Sequence, residues 1–249
     1  MEAFYQAQEL VAPGASFIRG VLLNMWNPEA LEHGWTLPDG FQAKVKVLET
    51  TNTKIEIDEL NHATFTYRHT VNEAQEKSVA LAGNVIQSID GYIVREMTRR
   101  CMHNKAKLSA AREKLLNQLD KEDQMIPSEL EEWHFIRTGI ASLEGLENLE
   151  WDKVAWYTHN YCRTLLRLCE GALANDSFDL ICIHDEFKCH PNHMQTVRKT
   201  YRDIMAELAN STIMSSVLTE LAGEEIVLEK FKGHKQLGDK IRQSEYAIS

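Results

Sequence analysis

Apolar residues recur along the chain with two different periods, and each switch of period marks an element. Phe17, Ile18, Val21, Leu22 and Met25 fall at helical spacing. A Pro13-Gly14 turn precedes them, and Pro28 stops that helix from beyond its end. Trp35-Thr-Leu-Pro-Asp-Gly40 reads as a turn between extended residues. Beyond it Val45, Val47, Ile55 and Ile57 alternate with polar residues, as do Phe65 and Tyr67. This predicts strands joined by turns at Thr51-Asn-Thr53 and Asn61-His62. From about Val85 the period becomes helical again, through Ile86, Ile89, Ile93, Met97 and Cys101. The charged stretch from Arg112 to Glu132 reads as a solvated helix face and a loop around Pro127. Val154, Tyr157, Tyr161, Leu165, Leu168 and Ala172 predict one amphipathic helix, and Met194, Val197, Tyr201, Met205 and Leu208 another. Between them, Phe178 to Ile183 fits a short buried strand. The sum is an α+β chain without repeats, low-complexity tracts or a clear linker.

Composition narrows the classes. With 249 residues the chain is long enough for a sizeable core, and 43% hydrophobic with 26% charged residues is ordinary for a globular protein. A net charge of −10 argues against a stand-alone nucleic-acid binder held by a basic surface. It leaves room for carboxylate chemistry beside a local basic groove. Five cysteines at irregular spacing point to no disulfide framework, and so to a reducing cytoplasm. The first residues lack the pattern of a signal peptide, and no apolar run approaches the length of a membrane span.

The most informative stretch is Phe178-Asp-Leu-Ile-Cys-Ile-His-Asp-Glu-Phe187, an apolar strand that ends in an acidic pair. A carboxylate at a rigid strand end suits two-metal phosphoryl transfer, in which two hard cations sit roughly 3.5–4 Å apart. Taken alone, an Asp at a strand end is an ordinary turn residue. Cys189-His190-Pro-Asn-His193 offers zinc-ligand types, but no second paired set accompanies it. A strand end and a helix start with Asn192 as cap is the simpler reading. Cys162 and Cys169, and Trp133, Trp151 and Trp156, read as core residues. Arg95, Arg99 and Arg100 read equally as phosphate contacts and as a solvent-facing side of their helix.

Four segments in order resemble the single-subunit RNA polymerases of phages and mitochondria. Trp35-Thr-Leu-Pro-Asp-Gly40 is similar to the family's Trp-x-x-Pro-Asp-Gly. Asn84-Val-Ile-Gln-Ser-Ile-Asp-Gly91 is similar to its Asn-Phe-x-His-Ser-x-Asp-Gly, which opens a long helix. Ile183-His-Asp-Glu-Phe187 resembles its His-Asp-Ser-Phe, known as motif C. Ser244-Glu-Tyr-Ala-Ile-Ser249 is similar to its terminal Ser-Asp-Phe-Ala-Phe-Ala. The resemblance implies the C-terminal palm and fingers part of a right-hand polymerase fold across residues 1–249, with 101–177 as an added helical insertion before motif C. It implies that Asp185 holds two magnesium ions (Mg2+) and that His184 supports the active-site edge. Gln87, Ser88, Asp90 and Gly91 would lie near the template strand, with Arg95 and Arg99 on the same helix. The hairpin between Phe41 and Tyr67 would take the place of the promoter-reading loop, and the terminal residues would pack near the active site.

Departures shape the expectation. Gln87 stands where the family often has His, Ile89 replaces a polar residue, and Glu186 replaces Ser. Motif A with its metal-binding Asp, and the fingers helix, have no counterpart here. The expected protein is therefore a fragment or, preferred because the chain starts at Met1 and ends where the family ends, one subunit of a split phage RNA polymerase. A second polypeptide would complete the site, and the partners would be DNA template, nascent RNA and nucleoside triphosphates in the host cytoplasm. Asp39 or Asp90 as the second metal ligand is the lesser option, each reading more simply as a turn or helix-start residue. Two further readings stay open. One is a family A DNA polymerase fragment, which Glu186 matches better. The other is a non-catalytic interaction protein on a decayed polymerase fold.

Overall fold

The computed structural model describes residues 2–46, 48–74, 79–124, 126–127, 129–184, 186–230 and 236–245. The fold is α+β, with only two-stranded sheets among the described residues. The chain divides into two compact units, one of Met1–Trp35 and Ala43–Ile86, the other of Thr36–Gln42 and Gln87–Ser249.

The first unit opens with helices α1 (Glu2–Val11) and α2 (Pro13–Asn24). Pro13 sits in the first turn of α2, where its missing N–H is harmless. Strands β1 (Glu32–Thr36) and β2 (Gln42–Lys46) form a hairpin. Its turn, which belongs to the second unit, closes as expected. Gly40 N donates to Leu37 O, and Leu37 N to Phe41 O, both at 2.9 Å. Gly40 adopts φ +75°, which a side chain would strain. Strands β3 (Leu48–Ile57) and β4 (Ala63–Ala74) form a long antiparallel ribbon with Ile55 opposite Phe65. The chain reverses through a short 3-10 turn at Asp58–Leu60 and through Asn61 and His62, at φ 56° and 60°. The turn predicted at Thr51–Thr53 is instead mid-strand, with Thr51 opposite His69 and Thr53 opposite Tyr67. Threonine is a good strand residue. Its polarity here reflects solvent on both faces of the ribbon, because residues 50–56 and 63–68 are all exposed.

Helix α3 (Ala80–Cys101) starts before the predicted Val85, since Leu81 and Val85, one turn apart, are both fully buried. The Asn84–Gly91 segment therefore lies inside the helix and does not open it. In the second unit follow α4 (Lys105–Leu119), α5 (Leu130–Thr138), α6 (Trp151–Val154) and α7 (His159–Leu173). The predicted single helix from Val154 to Ala172 is broken between α6 and α7. Thr158 caps α7 by accepting from Tyr161 N at 3.3 Å. Thr158 is itself held by the buried Glu132, which accepts from its N–H at 3.3 Å and from its hydroxyl. Glu132 thus leaves the solvated face assigned to the charged stretch. One apolar cluster, including Leu108, Leu115, Leu149, Tyr161 and Leu165, lies wholly between Leu108 and Ala172. The stretch 101–177 therefore carries its own core.

Cys162 and Cys169 belong to that core, and burial pushes both thiols up to about 12, so they are poor nucleophiles. The tryptophans expected there do not join it. Trp133, Trp151 and Trp156 are 46%, 47% and 54% exposed. Smaller residues fill the interior, and the Lys114 and Lys121 ammoniums lie 5.7 and 6.0 Å from the Trp151 ring at the surface. Strands β5 (Ile181–Ile183) and β6 (Glu186–Lys188) follow, then α8 (Met194–Asn210), α9 (Ile213–Ala222) and α10 (Leu237–Gln243), which packs on α8. No described helix is long and apolar enough to cross a membrane.

Candidate functional site

The acidic segment occupies a tight antiparallel hairpin. Ile181 pairs with Lys188, Cys182 with Phe187 and Ile183 with Glu186, so only His184 and Asp185 separate the two strands in sequence. His184 adopts φ 55°, in the left-handed region that short hairpin turns use. Asp185, the proposed metal ligand, lies outside the described residues, as do Tyr246–Ser249 of the terminal segment.

Two helices hold the hairpin. Ahead of β5, Phe178 N donates to Cys101 O at the end of α3, at 3.0 Å. Thr98 Oγ1 and Cys182 Sγ lie 3.8 Å apart. On the other strand the Phe187 ring lies 6.0 Å from Tyr201 of α8. Strand alternation then sends Cys182 and Phe187 inward, and Ile181, Ile183, Glu186 and Lys188 outward. The buried strand expected from Phe178 to Ile183 is corrected accordingly. Phe178 and Leu180 are buried, but they precede the strand, and Ile181 and Ile183 are 60% and 44% exposed. An apolar run with one covered face looks the same in sequence as one covered on both.

The neighbouring Cys-His-Pro-Asn-His segment is structural. His193 stacks on Phe178 with ring centroids 4.2 Å apart, and His190 Nδ1 accepts from Asn192 N at 3.4 Å to cap a short 3-10 turn. His193, not Asn192, occupies the N-cap position of α8. Among the described residues the one cluster of three groups that could hold a metal is Glu56, Asp58 and His62, all exposed at the tip of the β3–β4 ribbon. It does not involve the hairpin.

The nucleic-acid candidates of α3, from Gln87 to Arg99, are spread over more than three turns. Gln87 and Asp90 are exposed, while Ser88 and Gly91 are half-buried. Arg95 and Arg99 both turn onto Asp39 of the β1–β2 turn. Arg95 Nε reaches Asp39 Oδ2 at 2.6 Å and its Nη2 reaches Oδ1 at 3.0 Å, while Arg99 Nη1 reaches Oδ2 at 2.9 Å. Phe41 lies beneath the Arg95 guanidinium at 4.3 Å. Burial works to raise the Asp39 pKa, and the two arginines outweigh it, so the carboxyl sits below its ordinary value. Arg99 also meets Glu144 and Glu96. Glu96 is fully buried and is further bound by Arg100 at 3.2 Å and by the Ser142 hydroxyl. Arg100 in turn makes a two-pronged contact with Glu207, at 2.7 and 3.1 Å.

No protein-family model and no curated protein matches the chain.

Sequence reasoning missed this ion network. Its intrahelical part was readable, because Glu96, Arg99 and Arg100 stand three and four residues apart. The links to Asp39 and Glu207 cross 56 and 107 residues, and no local pattern reveals them. Asp39, buried and doubly paired, is not available as a second metal ligand. On the hairpin, Glu186 has Lys188 3.5 Å away and is exposed. The described residues around the hairpin therefore do not assemble a magnesium site by themselves.

Proposed function

We propose that this chain is a subunit or fragment of a DNA-directed RNA polymerase and contributes Asp185 to template-directed nucleotidyl transfer. The observation that carries the reading is the β5–β6 hairpin, in which Ile183 pairs with Glu186 across the His184-Asp185 step. That pairing makes the segment a strand reversal, and two long helices hold its strands from behind. Since the described residues of the hairpin supply no complete magnesium site, carboxylates from a second polypeptide must join Asp185. The chain's own part is positional: α3 and α8 fix the hairpin, and fixed geometry is worth much in phosphoryl transfer. The exposed β3–β4 ribbon is of the kind that enters a DNA major groove, which supports the promoter-reading role inferred for the hairpin region. The chain would act in the cytoplasm of an infected host, on DNA template, nascent RNA and nucleoside triphosphates.

The test is affinity purification from the native setting, mass spectrometry, and primed extension with ribo- and deoxyribonucleotides. A partner bearing motif A should co-purify, and the complex should extend RNA in a magnesium-dependent way. Asp185→Ala should lower the rate by about 10³-fold, the scale of losing a group that stabilises transition-state charge, with the complex intact. Extension with deoxyribonucleotides alone would favour a DNA polymerase. Absence of any extension would leave an interaction protein on a decayed fold, a reading that the pairing of Asp39 and the uncovered Ile181 and Ile183 also suit.

A further inference from the structure

We propose that a cleft formed by α7, α8 and α10 binds a nucleotide bearing two or more phosphates. The cleft encloses about 640 Å³, within the range of small-molecule sites. Four cationic side chains line it, Arg100, Arg167, Lys199 and Arg242, against two carboxylates, Asp203 and Glu207. This local positive excess stands in a chain of net charge −10.

The four cations differ in availability. Arg100 is bound by Glu96 and Glu207 and belongs to the wall. Lys199 and Arg242 share Asp203 at 2.9 and 3.5 Å, and Arg242 also meets Asp239 at 3.5 Å. These side chains are exposed, and such pairs are weak enough for an incoming anion to replace. Arg167 has no hydrogen-bond or ion-pair partner among the described residues. Its planar fork suits a phosphate group.

The rest of the lining matches the rest of a nucleotide. Leu168 and Ala172 supply an apolar wall for a base. Beside them, Thr196 donates to Asn175 at 3.3 Å, placing a hydroxyl and an amide within reach of a base edge. Gly171, one helical turn beyond Arg167, keeps the wall open: beyond its chain neighbours and its own stretch of helix backbone, a Cβ there would meet no atom within 4 Å. Glycine inside a helix disfavours the helix, and its position here leaves room for a flat ring. None of the hairpin residues lines the cleft, so the site stands apart from the polymerase reading. Each can fail without the other.

The experiment is calorimetric titration of the full chain with ADP in the presence of a chelator, with pyrophosphate as the comparison. Wild type should bind one ADP saturably and more tightly than pyrophosphate. Arg167→Ala should weaken binding about tenfold, as expected for losing one hydrogen bond to a charged group. Gly171→Trp should abolish it by filling the cleft. Asp185→Ala should bind like wild type. Circular dichroism would verify that each variant keeps its helix content, and because Arg167 is exposed its variant serves if Gly171→Trp fails to fold. No saturable ADP binding at millimolar concentration, undiminished binding by Arg167→Ala, or pyrophosphate binding as tightly as ADP would each overturn the proposal.

Discussion

Asp39 shows how one residue carries two meanings. Its place before a glycine in a Pro-Asp-Gly turn was legible in the sequence, and the turn forms with Gly40 left-handed. Its partnership with Arg95 and Arg99 was not, because those partners lie 56 and 60 residues away. The Asp39 side chain is 1% exposed while both arginines are part-exposed. Asp39→Ala should therefore lose about 2–4 kcal/mol at pH 7, at or below the usual cost of breaking a buried pair. The pH dependence has a definite sign. The folded pKa is depressed, so this stabilisation is complete above the ordinary value of about 3.9 and fades as pH falls through the folded value. Urea denaturation at pH 7 and below pH 4 should show the gap between wild type and variant narrowing in acid; a constant gap would contradict the pairing. His184 offers a second test. At φ 55°, a β-branched residue is strained by about 1–2 kcal/mol, whereas Asn or Gly is not. If His184 serves mainly to shape the turn, His184→Asn should keep most extension activity and His184→Val should lose both stability and activity. Equal loss in both variants would assign the role to the imidazole.

Elements were read best where one face is covered. Helix α8 matched its apolar period, and the β1–β2 turn matched its Pro-Asp-Gly signal. The β3–β4 ribbon was read as strands but given a false turn at Thr51–Thr53. When both faces meet solvent, no alternation pins the register or marks the strand's extent. The break between α6 and α7 was hidden for a different reason. Val154 and Tyr157 do reach the same core as Tyr161, so the period continues although the helix does not. For the exposed ribbon, Ile55→Ser and Tyr67→Ser should each shift unfolding free energy by no more than about 0.5 kcal/mol. On the proposed polymerase reading, replacing the ribbon tip between Thr53 and Tyr67 with a short glycine turn should remove promoter-dependent initiation and spare primed extension. Loss of both activities together would argue against a separate reading role.

At the scale of the whole chain, burial is unevenly shared. Among the described residues of Met1–Trp35 and Ala43–Ile86, the buried ones are Leu22, His33, Trp35, Ala43, Leu81 and Val85. Most of the buried apolar residues belong to the other unit, many in the cluster from Leu108 to Ala172. Hydrogen exchange should follow this division. Amides of β3 and β4 should exchange early, and those of α4 and α7 late; similar protection of the ribbon and of those helices would contradict the burial pattern. The α+β class was legible from the two periods, whereas the division into two units was not, because no proline- or glycine-rich linker marks it. The same long-range blindness applies to Glu96, fully buried and tied through Arg99 and Arg100 to Asp39 and Glu207. These five side chains share their charges, so a lineage cannot exchange one and keep the others unharmed. Related chains should carry the set whole or have replaced it whole, and intermediates between those two conditions should be rare.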